Sequence, residues 1–165
     1  MEDQALKGRY KKTDQMAQSL SKILVHLIFS TKNRERLIGD DIRDELHRYF
    51  ATVLKELDSP AILINSVEDH IHILFSLSKK YSISEIVEKT KTASSKWVKG
   101  KRGNYVGFYW QNGYGAFSVS QSNVPDAQKY IANQKEHHKR KTFQEEFREL
   151  LEGCEVVYDE RYVWD

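Results

Sequence analysis

The sequence predicts an α+β domain. Its apolar residues switch repeatedly between the two-residue period of a strand and the 3.6-residue period of a helix. Its 165 residues carry 39% hydrophobic content, enough for one core of ordinary size. No repeat or linker divides the chain, so a single domain is expected.

Taken in order, residues 1–18 lack apolar periodicity and read as a mobile tail, with Met16 an alternative start. The domain is expected over 19–152. SKILVHLIFS (21–30) alternates, with Ile23, Val25, Leu27 and Phe29 on one face of a strand. Residues 40–57 place Ile42, Leu46, Tyr49, Phe50, Val53, Leu54 and Leu57 at helical spacing behind an Asp40/Asp41 cap. AILINSVE (61–68) and HIHILFSLS (70–78) are two strands close enough to form a hairpin. Ser82 and Glu85 make a capping box for a helix buried through Ile83, Ile86, Val87, Thr90, Ala93 and Trp97, and Gly100 and Gly103 end it.

GYGAFSVS (113–120) is a fourth strand, and Pro125 opens a helix over about 123–140. Thr142 and Glu145 cap a short helix with Phe143, Phe147, Leu150 and Leu151 inward. The tail 153–165, with Tyr158, Tyr162 and Trp164, is expected to dock on an apolar surface. The order is β-α-β-β-α-β-α, whose first six elements match the ferredoxin-like split βαβ arrangement. That arrangement places both crossover helices on one face of an antiparallel sheet and leaves the other face free for a site.

Composition narrows the function. A single cysteine, Cys154, excludes an internal disulfide, and no run of 18 apolar residues offers a membrane span. The N-terminus lacks the apolar middle of a signal peptide, so a reduced, cytoplasmic setting is expected. The net charge is only +2, but Lys79–Arg102 carries eight Lys or Arg against two Glu. Trp97, Tyr105, Phe108, Tyr109, Trp110 and Tyr114 are interleaved or follow. Basic charge attracts phosphate and flat rings stack on bases, although a solvated helix face beside core aromatics gives the same pattern.

EDHIHILFSL (68–77) carries the chemistry. On a strand, Ile71, Ile73, Phe75 and Leu77 share the core face, and His70, His72, Leu74 and Ser76 the other. The imidazoles then stand about 7 Å apart at their backbones and can lean onto one divalent cation. The triplet alone is not specific, since two wetted or packed histidines look the same. His26 on the outer face of the first strand is either their neighbour or a structural residue. In DAQKYIANQKEHHKRK (126–141), Val124, Ala127, Ile131 and His138 form one helical stripe, and Tyr130 and Gln134 stack four apart on its flank.

Together these segments resemble the HUH single-tyrosine transposases, which mobilise hairpin-ended insertion sequences and have the REP-associated tyrosine transposases as relatives. The resemblance covers about residues 20–145. It rests on VHLIFSTK, EDHIHILFSL, the lysine-rich second helix, WQNGYGAFSVS and YIANQ. It implies that His70, His72 and Gln134 ligate Mg²⁺ or Mn²⁺, that Tyr130 is the nucleophile, and that the protein is a homodimer acting on single-stranded or hairpin DNA. His137 and His138 match only part of the family and receive no role.

The expected activity is therefore a metal-dependent single-strand endonuclease and strand transferase working through a 5′-phosphotyrosine. Lys89, Lys91, Lys96, Lys99, Lys101 and Arg102 are the candidates for holding DNA. Two other readings compete. One is a domesticated, non-catalytic single-strand-binding module on the same scaffold. The other is a histidine-ligated hydrolase of small molecules, disfavoured because no acidic ligand or general base stands out.

Overall fold

A computed structural model describes residues 19–101 and 105–164. Both the expected N-terminal tail and Arg102 lie outside the described residues. Four strands, β1 (Leu24–Ser30), β2 (Ala61–Ser66), β3 (His70–Ser76) and β4 (Gly115–Val119), form one antiparallel sheet in the order β2-β3-β1-β4. With α1 (Asp40–Glu56) between β1 and β2, and α2 (Ile83–Lys99) between β3 and β4, this is the ferredoxin-like topology that the pattern predicts. No helix of the described residues is long and apolar enough to cross a membrane.

The inner face is apolar because alternate strand residues are. Val25, Leu27 and Phe29 of β1 and Ile71, Ile73 and Phe75 of β3 pack with Ile42, Leu46, Phe50 and Leu54 of α1 and Ile86, Val87 and Val98 of α2. Burying each such side chain contributes about 1.5–3 kcal/mol. The Ser82–Glu85 capping box is formed, and Gly100 ends α2. At α1 the expectation fails. Gly39 is the N-cap and makes no side-chain cap bond, while Asp40 and Asp41 sit inside the first turn. There their charge still complements the helix dipole.

The outer face is not free. It is covered by α3 (Val124–Ala132), α4 (Gln134–His137), α5 (Phe143–Gly153) and the segment after α5. The reason lies in the sheet: Ile28 and Phe117 point outward, and apolar groups there need cover. Phe143, Phe147 and Leu151 of α5 supply it, with Tyr158, Val163 and Trp164 packed alongside. Gly115 makes the close approach feasible, because a Cβ there would overlap the Phe147 ring.

The single helix expected over 123–140 is broken at Asn133 into α3 and α4. Asn65 on β2 explains the break. Its amide nitrogen donates to the carbonyls of Ile131 (2.7 Å) and Ala132 (3.2 Å), which an unbroken helix would use itself. Pro125 occupies the first turn of α3, and Thr142 and Glu145 form the capping box of α5.

Candidate functional site

Register brings the histidines together. Ser30 faces His70, Ile28 faces His72, and His26 faces Leu74. His26, His70 and His72 therefore share the outer face, one pleat apart. Both members of the pair are fully buried, yet their ring nitrogens meet polar groups rather than aliphatic ones.

The Nδ1 atoms are committed. His70 Nδ1 bonds Asp69 Oδ1 at 2.6 Å, and His72 Nδ1 bonds His26 Nε2 at 2.9 Å. Each ring is thereby fixed in orientation with Nε2 pointing away from the sheet. Such partners are what hold a metal-ligating imidazole.

What faces the two Nε2 atoms is Glu146 of α5. Its Oε2 lies 3.5 Å from His70 Nε2, 3.6 Å from His72 Nε2 and 2.9 Å from His138 Nε2. The four ligating atoms of His70, His72, His138 and Glu146 all lie within 4.8 Å of one another. The other carboxylate oxygen, Oε1, accepts a hydrogen bond from the Tyr130 hydroxyl and one of 3.0 Å from the Gln134 amide. Gln134 Oε1 in turn lies 2.9 Å from His138 Nε2. Tyr130, half-buried, stands edge-on to His72 at 5.9 Å between ring centres and to His137 at 5.0 Å.

Electrostatics follow from burial. Loss of water pushes His72 down to about 4 and His26 to about 3, only partly opposed by Glu146. For His70 burial also lowers the pKa, but Asp69 and Glu146 outweigh it and the net shift is upward. Burial would raise Glu146. The imidazoles of His138, His70 and His72 facing it reverse that and hold the carboxyl well below its usual range. Tyr130 is pushed above an ordinary phenol, first by burial and then by the Glu146 charge.

This donor set fits a divalent cation. His70 Nε2, His72 Nε2 and Glu146 Oε2 are buried and have no hydrogen-bond partner. Orphaned buried polar atoms are costly, and a cation satisfies all three at once. Nitrogen with one carboxylate suits Mn²⁺ and other transition metals, and accepts Mg²⁺ less readily.

Tyr130, Gln134, His70 and His72 are thus brought together within one chain. His138 and Glu146 join them unannounced. The expectation that no acid stands near the pair is overturned by Glu146. A signal existed, since Phe143, Glu146, Phe147, Leu150 and Leu151 form one helical stripe, and an acid in an apolar stripe is out of place.

The lysine candidates are elsewhere. α2 packs on the inner face, so Lys89, Lys91, Lys96, Lys99 and Lys101 lie across the sheet from the histidines. Lys91 is spent internally. Its ammonium donates to the carbonyls of Gln111 (2.9 Å) and Gly113 (2.7 Å), and burial lowers its pKa to about 8. Lys101 pairs with Glu45, and Lys99 sits 3.3 Å over the exposed Tyr109 ring. Beside the site itself runs a cleft that no sequence pattern flagged. Arg34, Arg36, Lys139, Arg140 and Lys141 line it with Glu68 and Glu145, Arg36 pairing with Glu68, Lys139 with Glu136 and Lys141 with Glu149, and it reaches His138 and Asp69.

The model of the IS200-like transposases matches residues 19–134. The chain belongs to the IS200-like transposase family. The curated ISDra2 transposase TnpA of Deinococcus radiodurans is 25% identical over 114 residues, which is 66% of this chain and 81% of that protein. Two solved structures share the fold of this IS200-like transposase. A candidate transposase of Deinococcus radiodurans matches with TM-score 0.57 and 23% identity over 73% of this chain and 96% of the other. A REP-associated tyrosine transposase bound to a REP hairpin matches with TM-score 0.57 and 13% identity, over 88% and 94%. In this IS200-like transposase the family match ends at Gln134, so His138 and Glu146 lie beyond it.

Proposed function

We propose that this transposase is a metal-dependent, single-strand-specific DNA endonuclease and strand transferase, which cuts and rejoins hairpin-flanked DNA through a 5′-phosphotyrosine on Tyr130. One observation carries the reading. The Tyr130 hydroxyl and the Nε2 atoms of His70 and His72 converge on the two oxygens of a single buried carboxylate. A nucleophile and a cation-ready imidazole pair in one pocket are what transesterification of a phosphodiester requires.

Tyr130 Oη attacks phosphorus, the bond from phosphorus to the 3′ oxygen breaks, and that oxygen leaves as a 3′-hydroxyl once protonated. The phosphotyrosine keeps one ester bond for the one broken, so a second 3′-hydroxyl reverses the step on another end without ATP. In the free protein the phenol holds its proton, and Glu146 Oε1 is the group that shares it. Asp69 and His26 orient the imidazoles. A divalent cation held by His70, His72 and Gln134 would stabilise charge on a non-bridging phosphate oxygen.

The REP-associated relative is solved with a hairpin, which supports hairpin DNA as the partner here. The basic cleft beside His138 is the nearest place for its phosphates. The family resemblance extends the proposal to a homodimer, checked by sedimentation.

The test is a covalent adduct. Incubation with a hairpin-flanked single strand and Mn²⁺ gives a protein–DNA band on a denaturing gel, and Tyr130→Phe loses it. Undiminished cleavage by Tyr130→Phe contradicts the proposal.

A further inference from the structure

The family match stops at Gln134, yet the pocket does not. α5 sends one acidic side chain, 1% exposed, into the middle of the imidazole cluster. A merely structural carboxylate at such depth has donors on both oxygens. Glu146 has them on one only. Oε1 receives the Tyr130 hydroxyl and the Gln134 amide, whereas Oε2 is left without a hydrogen bond.

The tautomers sharpen this. His70 Nδ1 faces the Asp69 carboxylate, and His138 Nδ1 faces the Lys141 carbonyl at 2.9 Å. Both partners only accept, so both Nδ1 atoms carry the proton. In the neutral rings, the Nε2 lone pairs of His70 and His138 then point toward Glu146 Oε2, itself an anion. His138 Nε2 also faces Gln134 Oε1 at 2.9 Å. With Nδ1 already protonated, these Nε2 atoms meet the carboxylate favourably only by taking up a second proton or by sharing a cation with it, so the cluster calls for positive charge at that point. The spacing agrees. Adjacent ligand atoms at about 2.2 Å from an octahedral cation stand about 3.1 Å apart, and Glu146 Oε2 is 2.9 Å from His138 Nε2 and 3.5 and 3.6 Å from the histidine pair.

We propose that Glu146 is a ligand of the divalent cation through Oε2 and, through Oε1, the positioning residue that holds the Tyr130 hydroxyl, so that one carboxylate from the C-terminal helix bridges metal and nucleophile. This rests on the reading of the histidine pair as a cation site. Its consequence is that the cation is held by α5 as well as by the sheet. The bound metal also fixes where the phenol stands.

The experiment titrates Mn²⁺ alone into the full chain, read by the loss of the free-ion EPR signal, with His72→Ala as the reference for a broken site. Glu146→Gln is expected to weaken Mn²⁺ binding at least tenfold, and Glu146→Asp, which keeps the charge, to recover part of the loss. At Mn²⁺ saturating for the variant, Glu146→Gln still forms the Tyr130 adduct at least tenfold more slowly, because the phenol has lost its anionic acceptor. Unchanged or tighter Mn²⁺ binding by folded Glu146→Gln overturns the proposal, since the carboxylate would then be a plug. If that variant does not fold, Glu146→Asp decides: affinity equal to that of His72→Ala contradicts a charge-based ligand, and intermediate affinity supports it. Wild-type protein that binds no better than His72→Ala removes the cation site itself, a different failure from that of Glu146.

Discussion

Histidine serves three separate purposes in this chain, and burial decides each. His70, His72 and His138 turn Nε2 toward Glu146, and His26 braces His72 from the next strand. His47, away from the site, ties α1 to β2 through Ser66 Oγ at 2.8 Å. Burial lowers His47 to about 4 against the opposing pull of Asp44, and the Arg43 charge adds to the lowering. The unfolded imidazole titrates near 6.5. The folded state therefore keeps His47 neutral, and its contribution is complete above pH 6.5 and lost as pH falls toward 4. Urea unfolding at pH 7.5 and pH 5 should show a loss of roughly 1 kcal/mol from this group, discounted for its partial exposure. His47→Gln should remove that share of the pH dependence, and an unchanged slope would contradict the assignment.

Legibility at this scale depended on spacing. His70 and His72 are two apart on a strand, and Tyr130 and Gln134 four apart on a helix, so local periodicity aligned each pair. Glu146 was hidden because it falls one residue after Glu145, the exposed partner of the Thr142 cap, and EE reads as a solvated turn. The internal engagement of Lys91 was not legible, because nothing local shows that three backbone carbonyls lie within its reach.

At the scale of elements, the site depends on how closely α5 lies against the sheet. Gly115 on β4 marks that contact. A methyl there would meet the Phe147 ring, with Ile28 Cγ2 and the Phe117 ring each 3.0 Å away. Gly115→Ala should cost about 1–3 kcal/mol of stability by overpacking. It should also lift Glu146 away from the histidines, so that Mn²⁺ affinity falls with the melting temperature. Preserved affinity in a destabilised Gly115→Ala protein would show that α5 does not set the pocket.

Strand and helix identities were readable, because alternation and 3.6-residue stripes are local. The break at Asn133 was not, because its cause is Asn65, which lies 66 residues before the Ile131 carbonyl it binds. The cover on the outer face was missed for a related reason. Ile28 and Phe117 each look like ordinary strand residues until the register sets Ile28 opposite His72 and Phe117 opposite His26, under α5.

At the scale of the whole molecule, the sheet separates two basic regions among the described residues. The α2 lysines lie behind it, and Arg34, Arg36, Lys139, Arg140 and Lys141 line the cleft that opens toward the histidines. Each phosphate contact releases counterion and steepens the salt dependence of binding, by about 0.7 per contact for a single strand. Replacing Arg36 and Arg140 together by Gln should lower the slope of log affinity against log salt by about 1–1.5. The same exchange at Lys96 and Lys99 tests the far face. A slope that changes only for the α2 pair would move the DNA path behind the sheet. Membership of the family was legible in the ordered motifs over 20–145. The C-terminal completion of the pocket was not, because it depends on a fold-back that no short motif encodes.

The central claim is that Tyr130 is the nucleophile of a cation-dependent strand transfer. The chain has nine tyrosines, so peptide mapping by mass spectrometry of the adduct formed with a hairpin-flanked strand and Mn²⁺ tests it most directly. A nucleotide mass on the peptide containing Tyr130, formed only when the cation is supplied, is the predicted result. The same mass on another tyrosine, or strand cleavage with no phosphotyrosine at all, would contradict the account.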